Sequence, residues 1–153
     1  LNIMTLQEAY NFFESLKIET TKKSEIRIYE KFLHILSELK NRDFTTDEIQ
    51  SIETELDSLN LESNPENRKK YFGKALHKLN EYLKSTFSLI PGGYYVTYGI
   101  ALGVAFGPVL GVLFMPFFER SLGISAGVCI GMIIGLLAGQ YLDSQAKAAG
   151  NVL

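Results

Sequence analysis

Two stretches of this 153-residue chain carry no charge: Tyr94 to Met115 and Ser121 to Leu142. As helices rising ~1.5 Å per residue, each spans ~33 Å, enough to cross a hydrocarbon core of ~30 Å. The other way to hide two such helices is inside a soluble protein. The rest of this chain is too short to cover both on all sides. Only Pro116, Phe117, Phe118, Glu119 and Arg120 separate the two runs. The pattern predicts a two-helix transmembrane hairpin within residues 91–143, with spans about 94–115 and 121–142 and a C-terminal tail over 144–153.

The charges confirm that the chain is two physical objects. Of 15 Lys and Arg, only Arg120 and Lys147 lie beyond residue 90; of 17 Asp and Glu, only Glu119 and Asp143 do. Residues 1–90 hold the rest and read as a soluble helical domain. A net charge of −2 argues against a nucleic-acid binder that works by bulk charge. The first apolar positions are interrupted by Gln7, Glu8 and Asn11, so no signal peptide is expected.

Within 1–90 the apolar residues recur at helical spacing. Helix 5–17 opens on a Thr5/Glu8 capping box and carries Leu6, Ala9, Tyr10, Phe13 and Leu16 on one face. Helix 22–40 carries Ile28, Phe32, Ile35, Leu36 and Leu39. Helix 46–59 opens on Thr45 or Thr46, with Glu48 near the third position, and carries Ile49, Ile52, Leu56 and Leu59. A loop from Asn60 to Asn64 follows. Asn64 is the expected cap and Pro65 the first residue of a fourth helix, to about residue 87, with Tyr71, Ala75, Leu76, Leu79, Tyr82 and Leu83 as its stripe. Pro91-Gly92-Gly93 then breaks the chain. The expected fold class is all-α: a small four-helix soluble domain followed by a transmembrane hairpin.

The glycines constrain the hairpin further. The first span holds Gly99, Gly103, Gly107 and Gly111, and the second holds Gly123, Gly127, Gly131, Gly135 and Gly139. Each glycine costs a helix ~1 kcal/mol against alanine, so nine at an unbroken spacing of four need a compensating gain. Close backbone approach supplies it, through dispersion and Cα–H···O contacts. The stripe drifts about 40° per step, which favours right-handed crossing near −40°. Offset by two residues lie Thr97, Ala101 and Ala105, and Ser121, Ser125 and Cys129, a second small-residue face on each helix. The two faces together predict a homo-oligomer, with Thr97, Ala101 and Ala105 as candidate pore lining. Pro108 removes one backbone bond and is the candidate hinge, or a static bend. Cys129, the only cysteine, reads as a small buried hydrophobe.

Arg68, Lys69, Lys70, Lys74, Lys78 and Lys84 precede the first span, and Lys147 follows the second, whereas the connecting loop offers only Arg120 beside Glu119. By the positive-inside rule both termini are cytoplasmic. Tyr94, Tyr95 and Tyr98 mark the inner interface, and Phe117 and Phe118 the outer end. The six cations before the first span are candidates for binding anionic lipid headgroups.

Two resemblances follow. Tyr29, Phe32 and Leu33, then Phe44-Thr45-Thr46-Asp47-Glu48-Ile49, then Asn67 to Leu83 with Leu79 and Tyr82, resemble the helical core-binding (SAM-like) domain that precedes the catalytic domain of tyrosine recombinases. The likeness covers about residues 5–87. Nothing here resembles the catalytic domain itself, so no catalytic residue is carried over. The part from Tyr98 to Leu153 is similar to glycine-zipper membrane segments of small bacterial proteins, which implies the bacterial inner membrane and close helix packing.

His34 and His77 have no partner at metal-ligand spacing, no phosphate loop is present, and no nucleophile stands beside a base. No enzyme, metal or cofactor is expected. The expected partners are the lipid bilayer, further copies of the chain and a cytoplasmic protein, with nucleic acid disfavoured. Two functions follow: a gated pore or membrane-permeabilising protein with a cytoplasmic helical sensor, or a non-conducting scaffold that displays the helical domain. A membrane-tethered DNA-binding module rests on the recombinase resemblance alone.

Overall fold

The computed structural model describes residues 3–114 and 120–153. The link between the two apolar helices, including Phe117 and Phe118, lies outside the described residues, as does the side chain of Ser121. The chain forms α1 (Leu6–Glu19), α2 (Lys23–Lys40), α3 (Thr46–Ser58), α4 (Arg68–Phe87), α5 (Tyr94–Phe114) and α6 (Arg120–Ala148). It divides into two compact units. One holds the residues up to Leu89 together with Leu153, the other Ile90–Val152.

In the first unit, local chemistry sets the helix starts. Thr5 and Thr45 each close a full capping box, with Glu8 and Glu48 returning to the cap amide at 2.8 Å. The fourth helix departs from expectation. Asn67, not Asn64, is its cap and accepts from the Lys70 amide at 3.0 Å. Asn64 instead accepts from the Arg68 guanidinium, and Pro65 lies in the loop. The helix ends where Ser88 turns left-handed and the Leu89 amide reaches the Leu83 carbonyl at 3.1 Å, before the Pro-Gly-Gly break.

The four helices enclose an aromatic core. Phe13 stacks on Phe32 with ring centroids 4.0 Å apart, and Phe72 meets Phe13 and Tyr29 edge-on at 5.6 Å. Phe72 and Tyr29 are fully buried, although the periodicity had favoured their neighbours Tyr71 and Ile28, which are only partly buried. Tyr71 uses its hydroxyl to tie down the loop, donating to the Leu59 and Asn60 carbonyls. Around the bundle α1 packs on α2, α2 on α4 and α4 on α3. The Leu6 amide donates to Glu53 of α3 at 3.0 Å and closes the circuit.

The second unit is the apolar pair. Both α5 and α6 are long and apolar enough to cross a membrane, and at most 22% of either apolar window is buried. A soluble core helix would be mostly buried, so these are candidate membrane-spanning helices. Helix α5 runs through Pro108 without a break. Helix α6 runs six residues past Leu142, so the segment read as a tail begins as helix. It stops in a Schellman turn: Gly150 is left-handed at φ +74°, its amide donates to Lys147 at 3.0 Å, and the Asn151 amide donates to Ala146 at 2.9 Å. Beyond it, Val152 pairs with Ile90 in an isolated parallel bridge.

Candidate functional site

The two glycine ladders face each other within one chain. A Cβ built on Gly135 would stand 2.0 Å from the Gly99 carbonyl oxygen, and one on Gly99 would stand 2.1 Å from the Gly135 oxygen. The same holds for Gly103 against Gly131, for Gly107 and Gly127, where the approach is 2.4 Å, and for Gly111 against Gly123 at 2.7 Å. Gly139 meets the Tyr95 carbonyl at 2.6 Å. Every obstacle is backbone, which has no rotamer to move away. The Cα hydrogens that a Cβ would replace point at carbonyl oxygens, the geometry of weak Cα–H···O bonds.

The two ladders, expected as close-packing surfaces, thus pack against each other within one hairpin. All the glycines are engaged inside the hairpin, and α5·α6 is the most extensive helix pair in the chain. Straight rods crossing at ~40° would part at the end rungs. Contact at every rung requires the two helices to wind round each other, as the drift of a four-residue spacing demands.

Asp143 fixes the register at the other end. It is one of two acids beyond residue 90 and was given no role by its place in the sequence. It is buried, and its two carboxylate oxygens accept from the Tyr95 amide at 3.0 Å and the Val96 amide at 3.2 Å. The Tyr94 amide donates to Pro91 and the Thr97 amide to Gly93. The Tyr94, Tyr95 and Val96 amides, which precede the first bond of the α5 ladder, are thus all satisfied, and a carboxylate faces the positive end of the helix. Only the Asp-at-a-helix-end chemistry signals this role in sequence; that the helix belongs to the other span is not readable.

The remaining sequence-selected residues lie elsewhere. Thr97, Ala101 and Ala105 are exposed on the outer side of α5, and Ser125 and Cys129 on that of α6. Cys129 is thus on the surface of the hairpin rather than buried. The Thr97 hydroxyl donates back to the Gly93 carbonyl at 2.9 Å. Between the helices, an open apolar groove of about 380 Å³ is walled by Tyr98, Leu102, Phe106, Ile134, Ala138 and Leu142. The hairpin itself encloses no lumen among the described residues, because its backbones touch at each rung.

The basic residues divide. Lys69, Lys70, Lys74 and Lys78, with His77, line a groove of about 680 Å³ between α4 and Ile28 of α2. Arg68 is half-buried beside Asn64, and Lys84 stands outside that groove. Among the described residues no three of His, Cys, Asp and Glu gather as metal ligands would. Comparison with protein-family models, with curated proteins and with solved structures returns no match.

Proposed function

We propose that this chain is a membrane-anchored adaptor, in which the α5/α6 hairpin holds the four-helix domain at the inner membrane of a bacterium and displays it to a protein partner. The observation that carries this reading is the closure of both ladders inside one chain. A hairpin that satisfies its own close-packing surface, and turns Leu102, Val109, Leu113, Ile133 and Leu137 outward, is complete as an anchor. It needs no lumen and no second copy to be stable in lipid.

A pore is the second reading. The exposed small faces at Thr97, Ala101, Ala105 and at Ser125, Cys129 favour it, since they offer further close packing between hairpins. Any lumen would then lie between copies and be lined by apolar side chains, which exclude water when narrow. Planar-bilayer recording on the full chain separates the two. The anchor reading expects no current from the wild type or from Ala105→Asn. Steady unitary currents that grow in Ala105→Asn would replace it with the pore.

The anchor reading carries an orientation, with both termini in the cytoplasm. In a Cys129→Ala background, Ser144→Cys should react with an impermeant maleimide only after the inner face is opened, and Glu119→Cys from the outside. The reverse pattern would overturn the orientation.

A further inference from the structure

Helix α4 carries the chain's most concentrated positive charge. From Arg68 to Lys84 there are six bases and one acid, Glu81. The fold sorts them. Lys69, Lys70, Lys74 and Lys78 line the groove beside Ile28 of α2, whereas Arg68, Glu81 and Lys84 lie outside it. Every ionisable group that lines the groove is basic: these four lysines and His77. Lys74 and Lys78 also border a smaller cleft of about 200 Å³ with Ser58, Leu59 and Asn60 at the end of α3, and no acid lines that cleft either. On α2, one turn to either side of Ile28, the exposed charge is Lys31. Glu25, on the same face, is buried and accepts from the Thr20 hydroxyl at 2.9 Å.

The floor beneath these lysines is apolar and shallow. Ile28 is half-buried, and Gly73 brings no side chain. Lysine stems lie well on such a floor and carry their ammonium groups outward. Lys69 and Lys78 stand ~13 Å apart along one helix, so the cations form a row rather than a shell closed round one ion. A row of cations over apolar atoms matches a surface that presents anionic groups above apolar carbon, as an anionic bilayer does. The tether is also short. Residues 88–93 alone separate α4 from α5. A stretch of that length reaches at most ~20 Å, so where α5 spans a bilayer the end of α4 is held near its headgroups.

We propose that the α2/α4 groove docks on anionic phospholipid headgroups, so that the four-helix domain lies against the leaflet into which its own hairpin inserts. This rests on the anchor reading, which brings the groove to that surface. Each lysine near an anionic leaflet strengthens binding about fivefold, so four in a row act together where one alone would not hold. The net charge of −2 on the whole chain disfavours nucleic acid as the occupant. The helices run α1, α2, α4, α3 round the bundle, so a docked groove turns the α1/α3 side away from the lipid. That side is then the one the adaptor offers to a protein partner.

The test uses the full chain with Cys129→Ala and His77→Cys, which places a fluorophore in the groove without removing a lysine. The chain is reconstituted in vesicles that contain a headgroup-linked quencher. Quenching should be at least about threefold stronger when roughly one-third of the lipid is phosphatidylglycerol than in phosphatidylcholine alone. The difference should vanish as salt rises from about 0.05 to 0.5 M, where the screening length shortens from ~14 to ~4 Å. Lys70→Glu with Lys74→Glu should abolish it while helicity by circular dichroism is kept. A label at Ser15→Cys, on the exposed side of α1, should show no such difference. Equal quenching in the two lipids, a difference that survives Lys70→Glu with Lys74→Glu, or a Ser15→Cys label that responds as strongly overturns the proposal. Inorganic phosphate that releases the groove label better than chloride at equal ionic strength would make this a free-phosphate site instead. Duplex DNA bound by the chain in phosphatidylcholine vesicles at about 0.15 M salt would make it a nucleic-acid site. Either result overturns lipid docking. Alkaline extraction tests anchoring separately. If it strips the chain from the vesicles, the anchor reading fails, and co-sedimentation decides the docking: binding to phosphatidylglycerol vesicles but not to phosphatidylcholine sustains it, and any other result overturns it.

Discussion

The bundle and the hairpin are both helical and are held together by opposite means. In the bundle, Phe13, Tyr29, Phe32 and Phe72 fill the space between helices with large side chains. In the hairpin, the absence of side chains at Gly99, Gly103, Gly131 and Gly135 lets backbones meet. Water explains the difference. Burying an aromatic ring from water is strongly favourable, so a soluble core gains by being large. In lipid, where we propose the hairpin sits, that gain vanishes, because the tails are as apolar as the ring, and close contact itself must stabilise the pair. The two units should therefore fail in opposite directions, one when atoms are removed and the other when they are added.

The largest effect should come from adding atoms to the hairpin. Gly131→Leu drives a side chain into the Gly103 carbonyl, which a Cβ alone already approaches to 2.4 Å. The helices must move from backbone contact toward the ~8–10 Å spacing of ordinary pairs. Spin labels at Leu102→Cys and Ile134→Cys, on the two walls of one groove, should report the widening in detergent. An unchanged distance would remove the ladder argument altogether. Membrane insertion should persist, because the hydropathy of the spans is not reduced.

Removing atoms should be the more damaging change in the bundle. Phe72→Ala leaves a cavity among Phe13, Tyr29 and Tyr71 and should cost about 3–5 kcal/mol in denaturant unfolding. The sharper comparison is glycine against glycine. A Cβ on Gly73 of α4 would meet only the Ile28 Cδ1 atom, at 3.8 Å, which is ordinary contact. Gly73→Ala should therefore be neutral or stabilise by up to ~1 kcal/mol, through helix propensity. Gly135→Ala, at 2.0 Å from a carbonyl, should open the hairpin. If the two substitutions behaved alike, the distinction between the units would collapse.

How legible all this was in the sequence depends on range. The boxes at Thr5/Glu8 and Thr45/Glu48 are readable because both members sit within one helical turn. Asn64 misled because Asn-Pro is itself a good start signal, whereas the Asn67 side chain three residues later is the one that reaches a free amide. The stripes missed Phe72 and Tyr29 by one position each, since a tyrosine or isoleucine beside a core residue satisfies the same periodicity. The ladders disclosed that some backbone approaches closely but not whose, because a glycine bears no mark of its partner. The five-residue link already implied a hairpin of α5 and α6, whereas the reach of Asp143 to Tyr95 and Val96, across 47 or more positions, is a tertiary fact.

Asp143 gives a smaller effect, confined to the hairpin. Asp143→Asn keeps the shape but loses the charge, and one of its two acceptors becomes a donor facing an amide. A charged hydrogen bond to a buried amide contributes ~1.5–3 kcal/mol, so loss of about that size is expected. Amide exchange should quicken at Tyr95 and Val96 while Thr97, whose amide donates to Gly93, changes less. Equal quickening along all of α5 would instead mean that Asp143 supports the whole helix rather than its first turn.

The smallest effect belongs to the bundle and tests whether its local signals act as the sequence implies. The Glu8 carboxylate accepts from the Thr5 amide at 2.8 Å and from the Thr5 hydroxyl at 2.9 Å. The backbone bond is the main cause, and the hydroxyl the next, of a pKa held below the ordinary value of 4.5. Both bonds favour the ionised form. Because the folded pKa is the lower one, the stabilisation is fully present above the unfolded value near 4.5 and disappears as pH falls through the folded value. NMR titration of the Glu8 side chain should therefore show a midpoint below 4.5. Thr5→Ala should return the midpoint toward 4.5 and cost about 1 kcal/mol at neutral pH, the usual loss of a threonine cap. Glu8→Gln should remove the acid-side slope of stability that belongs to this turn and leave the Thr45/Glu48 box untouched. A Glu8 midpoint unmoved by Thr5→Ala would show that the box does not form in solution, and that α1 is held by its core face alone.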